Sequence, residues 1–364
     1  MSVTITDYGN NSANTIVGHG GSNNPALFSI SLLTPTEIDL TFTNANGSHL
    51  IKMAGQFDSA ALTSTPATLA DLMNYASLGT ASSFDVYVNG TLGFAESFNP
   101  GISLSDLLAV SDFSGTTAQS TAMNSVYSGN DVYNTSNNAS GTNSVTVDLY
   151  GGNNTFYENH PKLQYDDVFY GGSSTGINTA VLPGNFANYT IRANPIYDVN
   201  TGTNDLNGYT VTDNTGATNT LEVYQVERLQ FADTKLALDV AGGHAGETAE
   251  ILGAVFGLNQ AQIEAHPDYV GIGLQLLDGG MSFSALSAAA LNAVGATTPQ
   301  AVVNLLWTNL VGSAPTAAQA APYVQLLTSG AISVGNLAVA AENLSLNTNH
   351  VNMVGLSQTG IHYT

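Results

Sequence analysis

The chain has 364 residues and no cysteine, which excludes a disulfide scaffold, thiol catalysis and zinc sites built on thiolate. Lys and Arg number 5 against 27 Asp and Glu, a formal net charge of -22. No basic patch can be assembled for nucleic-acid phosphates or an anionic membrane surface, and no stretch reads as a membrane span.

Only 9 % of residues are charged while 43 % are hydrophobic, so the chain is expected to fold, with a surface made mostly of Thr, Ser, Asn and Gly. The uncompensated carboxylates repel one another. Solubility outside the cell is one explanation, and binding of divalent cations is the sharper one.

In chain order, residues 1–127 read as a strand-dominated α+β domain. Asp39 to Gly47 alternates and then turns, with Leu50–Met53 as its partner strand. Ala67 to Tyr75 carries a short helical pattern. Ser83 to Gly90 alternates and ends in Asn-Gly, predicting a hairpin into Thr91–Phe94. Leu104 to Leu108 reads as a second short helix.

Residues 128–239 read as an all-β domain of β-roll or β-sandwich type. Ser144–Tyr150, Tyr189–Arg192, Tyr209–Thr212 and Asn219–Tyr224 are its strands. Residues 240–364 read as an all-helical domain. Apolar stripes precede Gly257, Gly279, Gly295, Gly312 and Gly330, which act as helix stops. An internal repeat aligns Leu276–Gly280 with Leu326–Gly330. The fold class expected is therefore multidomain, with these three parts.

Three turns in the β segment combine glycine with Asn or Asp: Gly129-Asn130-Asp131, Gly152-Asn153-Asn154, and Asp166-Asp167 running into Gly171-Gly172. Glycine permits tight turns that expose carbonyls, and Asp and Asn oxygens are the donors calcium prefers. The candidate calcium ligands are Asn130, Asp131, Asp148, Asn153, Asn154, Asp166 and Asp167; the residues leave open which of them coordinate together. The alternative is that these are ordinary turns.

These turns resemble degenerate copies of the calcium-binding repeats of RTX proteins. Asp167–Ser173, Gly176–Val181 and Tyr189–Ile191 resemble the flank of that module, and Val226–Asp233 resembles the segment that ends it in proteins exported by type I secretion. Ala249–Gly257, Tyr269–Gly280, Val302–Gly312 and Tyr323–Asn343 resemble a helical repeat domain attached to such proteins. Asn178 stands where the family has aspartate, and the arginine-bearing phrase expected after Phe256 and Val311 is missing. The resemblance implies calcium as cofactor, folding coupled to calcium outside the cell, and the type I secretion machinery as a partner. It also implies an export signal in the tail from Asn349 to Thr364, in place of an N-terminal one. Residues 1–127 carry no such resemblance.

The seven histidines are scattered, and His160 and His266, each followed by proline, are expected to be solvated. With no motif for a nucleophile, base or oxyanion site, the chain is expected not to be an enzyme. The leading functional expectation is a calcium-dependent structural protein of the bacterial surface that self-associates into a layer or filament. The alternative is a secreted adhesin or a small-ligand, haem-type binder, for which His49 and Tyr75 are available ligands. A secreted hydrolase is less favoured.

Overall fold

The computed structural model describes residues 2–7, 29–44, 47–58, 79–104, 106–107, 126–135, 145–162, 166–172, 176–194, 196–198, 203–205 and 208–364. The N-terminal part is strand-rich and the C-terminal part helical. Packing divides the chain into two units, 1–191 with 208–226, and 192–207 with 227–364.

The first unit begins with β1 (Ser2–Asp7), β2 (Ser29–Leu33), β3 (Glu37–Asn44), β4 (Gly47–Phe57), β5 (Gly79–Val88) and β6 (Thr91–Ser103). Strands β2 to β6 form an antiparallel meander in chain order. The alternation in the sequence sets its faces: Ile51 and Met53 of β4, and Phe84, Val86 and Val88 of β5, are buried. Asp39 pairs with Lys52, as the strand-turn-strand reading of this segment requires. The Asn89-Gly90 hairpin also forms, both residues having the positive φ that a tight two-residue turn demands. The helix expected over Ala67 to Tyr75 lies outside the described residues, and that over Leu104 to Leu108 lies partly outside them.

β1 pairs antiparallel with β6 on one side and parallel with β7 (Val132–Thr135) on the other. The sheet therefore runs without a break across position 127, where the sequence reading placed a domain boundary. A backbone edge needs hydrogen-bond partners, and β1 supplies them to both regions.

Beyond β7 the chain is wound in parallel turns. β8 (Thr146–Asp148), β9 (Thr155–Tyr157), β10 (Asp167–Tyr170) and β11 (Thr179–Val181) follow, then a single 3-10 turn at Phe186–Asn188 and β12 (Tyr189–Ala193). After a hairpin of β13 (Ile196–Asp198) and β14 (Thr203–Asp205) come β15 (Tyr209–Asp213) and β16 (Leu221–Tyr224). Strands β7, β9 and β11 pair parallel and in register, as do β8, β10 and β16. Each winding thus contributes one strand to each of two stacks. Apolar residues meet between them: the Phe156 ring lies 5.6 Å from Tyr133 within its own stack and 5.1 Å from Phe169 across.

The second unit holds β17 (Arg228–Gln230) and β18 (Lys235–Ala237), then nine helices among the described residues. These are α1 (His244–Ala254), α2 (Gln260–Glu264), α3 (Pro267–Asp278), α4 (Phe283–Ala293), α5 (Pro299–Val311), α6 (Ala317–Thr328), α7 (Val334–Glu342), α8 (Ser345–His350) and α9 (Met353–Thr359). Side-chain caps at Asn259, Ser282, Thr298, Thr316, Ser333 and Asn352 start six of them. The aligned segments Leu276–Gly280 and Leu326–Gly330 both close a helix, α3 and α6, and both run into a glycine with positive φ.

The region is not all-helical. The tail read as an export signal ends in β19 (Ile361–Tyr363), which pairs antiparallel with β18, and Ile361 is fully buried. Arg228 fixes this end of the unit. It is buried, bonds Asp239, makes a two-oxygen contact with Asp278 at 2.9 and 3.0 Å, and lies over the Tyr363 ring.

Candidate metal centre

In-register parallel pairing places equivalent residues of successive windings on top of one another. Gly129, Gly152 and Gly176 form one column. A Cβ at Gly152 would fall on the Gly129 carbonyl oxygen, and a Cβ at Gly176 on that of Gly152. Only glycine lets the backbones approach this closely.

The next two columns contain four of the seven residues proposed as calcium ligands. Asn130 Oδ1 accepts the Asn153 N–H at 2.9 Å, and Asn153 Oδ1 accepts that of Ile177 at 2.9 Å. In the adjoining column Asn154 Oδ1 accepts the Asp131 N–H at 3.0 Å, and Asn178 Oδ1 accepts that of Asn154 at 3.1 Å. Asn154 Nδ2 also donates to Gly171 O, and Asn178 Nδ2 to Gln225 O. These amides satisfy buried backbone groups at the corner where strands cannot. Asn178, which departs from the aspartate of the resembled family, is a member of this column.

Asp148, Asp166 and Asp167 are not brought to that corner. Asp148 ends β8 opposite Tyr170. Asp166 is exposed at the approach to β10. Asp167 is fully buried at the first position of β10, in the corner that links β9 to β10. The third turn of the sequence reading, Asp166-Asp167, therefore belongs to a different corner from the first two; the true third member is Gly176-Ile177-Asn178.

Asp167 is joined by two residues that sequence reasoning passed over. Glu158 follows β9 directly, and His160 lies two residues on. All three are buried, at 0 %, 3 % and 0 % exposure for Glu158, His160 and Asp167. The expectation of a solvated His160 is corrected: the corner folds inward because its backbone is bonded to the next winding, His160 O accepting the Asn219 N–H at 2.9 Å. His160 Nδ1 lies 3.0 Å from Asp167 Oδ2. Glu158 Oε1 accepts the His160 N–H at 2.7 Å, and Asp167 Oδ1 accepts that of Val145 at 2.7 Å. One ligand atom from each of the three lies within 4.8 Å of the others.

Burial, with the Asp167 carboxylate beside it, holds the Glu158 carboxyl well above the ordinary carboxylate range. A second buried acid sits near the start of the stack. Burial pushes Glu96 up to about 7, although Tyr127 donates to it at 2.7 Å; the nearby Asp131 adds to the rise. The signal for the inward corner is the pattern Glu158-x-His160 followed by Asp167. It becomes readable only once the windings are aligned on the glycines at 129, 152 and 176.

His49, offered above as a haem-type ligand, is also buried rather than solvated. It lies in β4 with Nδ1 3.1 Å from Gly47 O, and burial lowers its pKa. Tyr75 lies outside the described residues. His266, by contrast, has a well-exposed side chain near Asp268. The chain matches no protein-family model, no curated protein and no solved structure.

Proposed function

We propose that this protein is an exported structural component of the bacterial surface, in which calcium offsets the acidic charge and allows copies to pack into a layer or filament. The observation that carries this reading is the parallel stack of windings with a Gly-Asn/Asp corner repeated at the same place in each. The parallel windings support the β-roll reading that the resemblance to RTX proteins implies. The β7–β9–β11 stack is paired at both ends, by β1 and β17, but β8 lies at the edge of the other stack among the described strands, and an edge strand is a template for repeated contacts.

Charge supports the same reading. Lys52 is engaged by Glu37 and Asp39, Arg228 by Asp239 and Asp278, and Lys162 by Thr220. Close packing of a chain at -22 therefore needs neutralisation from solution, and a divalent oxygen-seeking ion supplies it. Export through the type I machinery rests on the resemblance of Val226–Asp233 to the end of that module.

Light scattering across a calcium titration tests the proposal. Monomer in chelator and growing particles at millimolar calcium are expected. A particle mass that stays at one subunit throughout overturns assembly.

A further inference from the structure

We propose that Glu158, His160 and Asp167 form a binding site for a divalent transition cation of the zinc type, built into the corner between β9 and β10. The proposal does not rest on the calcium reading and concerns a different donor chemistry. It stands on three observations.

The first is the donor set: two carboxylates and one imidazole, with one ligand atom from each within 4.8 Å of the others. In a tetrahedral site with metal–ligand bonds of about 2.0 Å, neighbouring ligand atoms lie about 3.3 Å apart. The 3.0 Å between His160 Nδ1 and Asp167 Oδ2 fits that edge after a small relaxation. Calcium takes six to eight oxygens, and a mixed nitrogen–oxygen set of three suits zinc or its neighbours better.

The second is an orphaned atom. Glu158 Oε2 is buried, beside the Asp167 carboxylate, and meets no hydrogen-bond donor among the described residues, although Glu158 Oε1 is held by the His160 N–H. Native structures rarely leave a buried carboxylate oxygen in that state without an ion or proton to meet it.

The third is preorganisation. The backbone at each of the three positions is bonded to an adjacent winding. Glu158 N–H donates to Val181 O, Asp167 N–H to Thr220 O, and His160 O accepts from Asn219 N–H, all at 2.9 Å. Asp167 Oδ1 is held by the Val145 N–H, which leaves Oδ2 turned toward His160. Outer bonds of this kind orient ligands before the metal arrives.

The rival reading is a metal-free corner, closed by a proton shared between the two acids and by the His160 Nδ1–Asp167 Oδ2 hydrogen bond at 3.0 Å.

The test uses the full chain, stripped with a chelator and titrated with cobalt(II) and then zinc. A four-coordinate site with nitrogen and oxygen donors gives cobalt an intense visible absorption, which a single equivalent of zinc abolishes; zinc also raises the melting temperature. Glu158→Gln keeps the shape and the bond to the His160 N–H while removing a charged ligand. It is expected to stay folded by circular dichroism and to bind zinc at least about tenfold more weakly. His160→Gln is expected to lose the cobalt absorption as well. A wild-type chain with neither absorption nor a zinc-dependent shift overturns the proposal and leaves the proton as occupant. Zinc bound equally tightly by Glu158→Gln assigns the metal to other histidines and also overturns it. Displacement of cobalt by calcium overturns the choice of metal class.

Discussion

Asn154 and Asn178 occupy the same place on consecutive windings, and the Asn178 Oδ1 accepts the Asn154 backbone N–H at 3.1 Å. Asn154 repeats the act one winding earlier, on Asp131, and ties its amide nitrogen to Gly171 O at 2.9 Å. Asn154→Ala leaves the Asp131 N–H and the Gly171 carbonyl without these bonds in a buried corner. A loss of roughly 2–4 kcal/mol is expected from denaturant midpoints. A loss below 1 kcal/mol would show that water replaces the amide.

Gly176→Ala tests the close approach of windings. Its Cβ would collide with the Gly152 carbonyl oxygen, a backbone atom that cannot swing aside. Destabilisation of at least about 2–3 kcal/mol is expected. Gly216→Ala serves as a comparison, since a Cβ there meets nothing within 4 Å and only the positive φ of 71° opposes it. Parallel thermal melts rank the two, and the Gly176 variant should melt lower.

Arg228 is the buried cation of the second unit. Removing it by Arg228→Ala takes the guanidinium from Asp239 and Asp278 and leaves them their bonds to His244, for a cost of up to about 3 kcal/mol. Arg228→Lys keeps the charge but not the two nitrogens that reach Asp239 and Asp278 separately, and is expected to recover only part of the loss. The helical signal at 222 nm reports the melting of this unit. Equal stability of Lys and Arg variants would show that charge alone matters.

Raising the pH through neutrality is expected to weaken the fold. Glu342 of α7 is buried and pushed up to about 8, first by burial and then by Glu250 and Glu247, against a bond from Ser287. Its folded pKa lies above the ordinary 4.5, so the folded chain keeps a proton that the unfolded chain releases. Stability is therefore full below pH 4.5, falls as pH rises through the window to about 8, and is flat above it. The total is of order 5 kcal/mol at most, and Glu96, pushed up to about 7, adds to the same slope. Urea midpoints across this range check the direction. Glu342→Gln should flatten the slope and stabilise the chain at high pH.

Much of the strand meander and most of the helices are legible in the sequence. Alternation in Ser83–Val88 and the Asn89-Gly90 turn depend on period and local backbone conformation, which a sequence carries openly. The glycines at 279, 312 and 330 mark helix ends for the same local reason.

The candidate centre was half legible. Asp167 stood out through its neighbours Asp166 and Gly171-Gly172, but it was grouped with the wrong corner. Glu158 and His160 carry no local signature, since an inward or an outward turn at His160-Pro161 reads alike in one dimension.

Composition, net charge and hydrophobic period belong to the chain and need no fold: they settled that strands come first, helices later, and that cations are scarce. Which asparagine meets which backbone amide, and which carboxylate is buried beside which histidine, depends on the register of parallel windings. Register is decided by pairing between residues far apart in the chain. The glycine contacts at 129, 152 and 176, and the Tyr133–Phe156–Phe169 packing, select one alignment among several that local sequence allows.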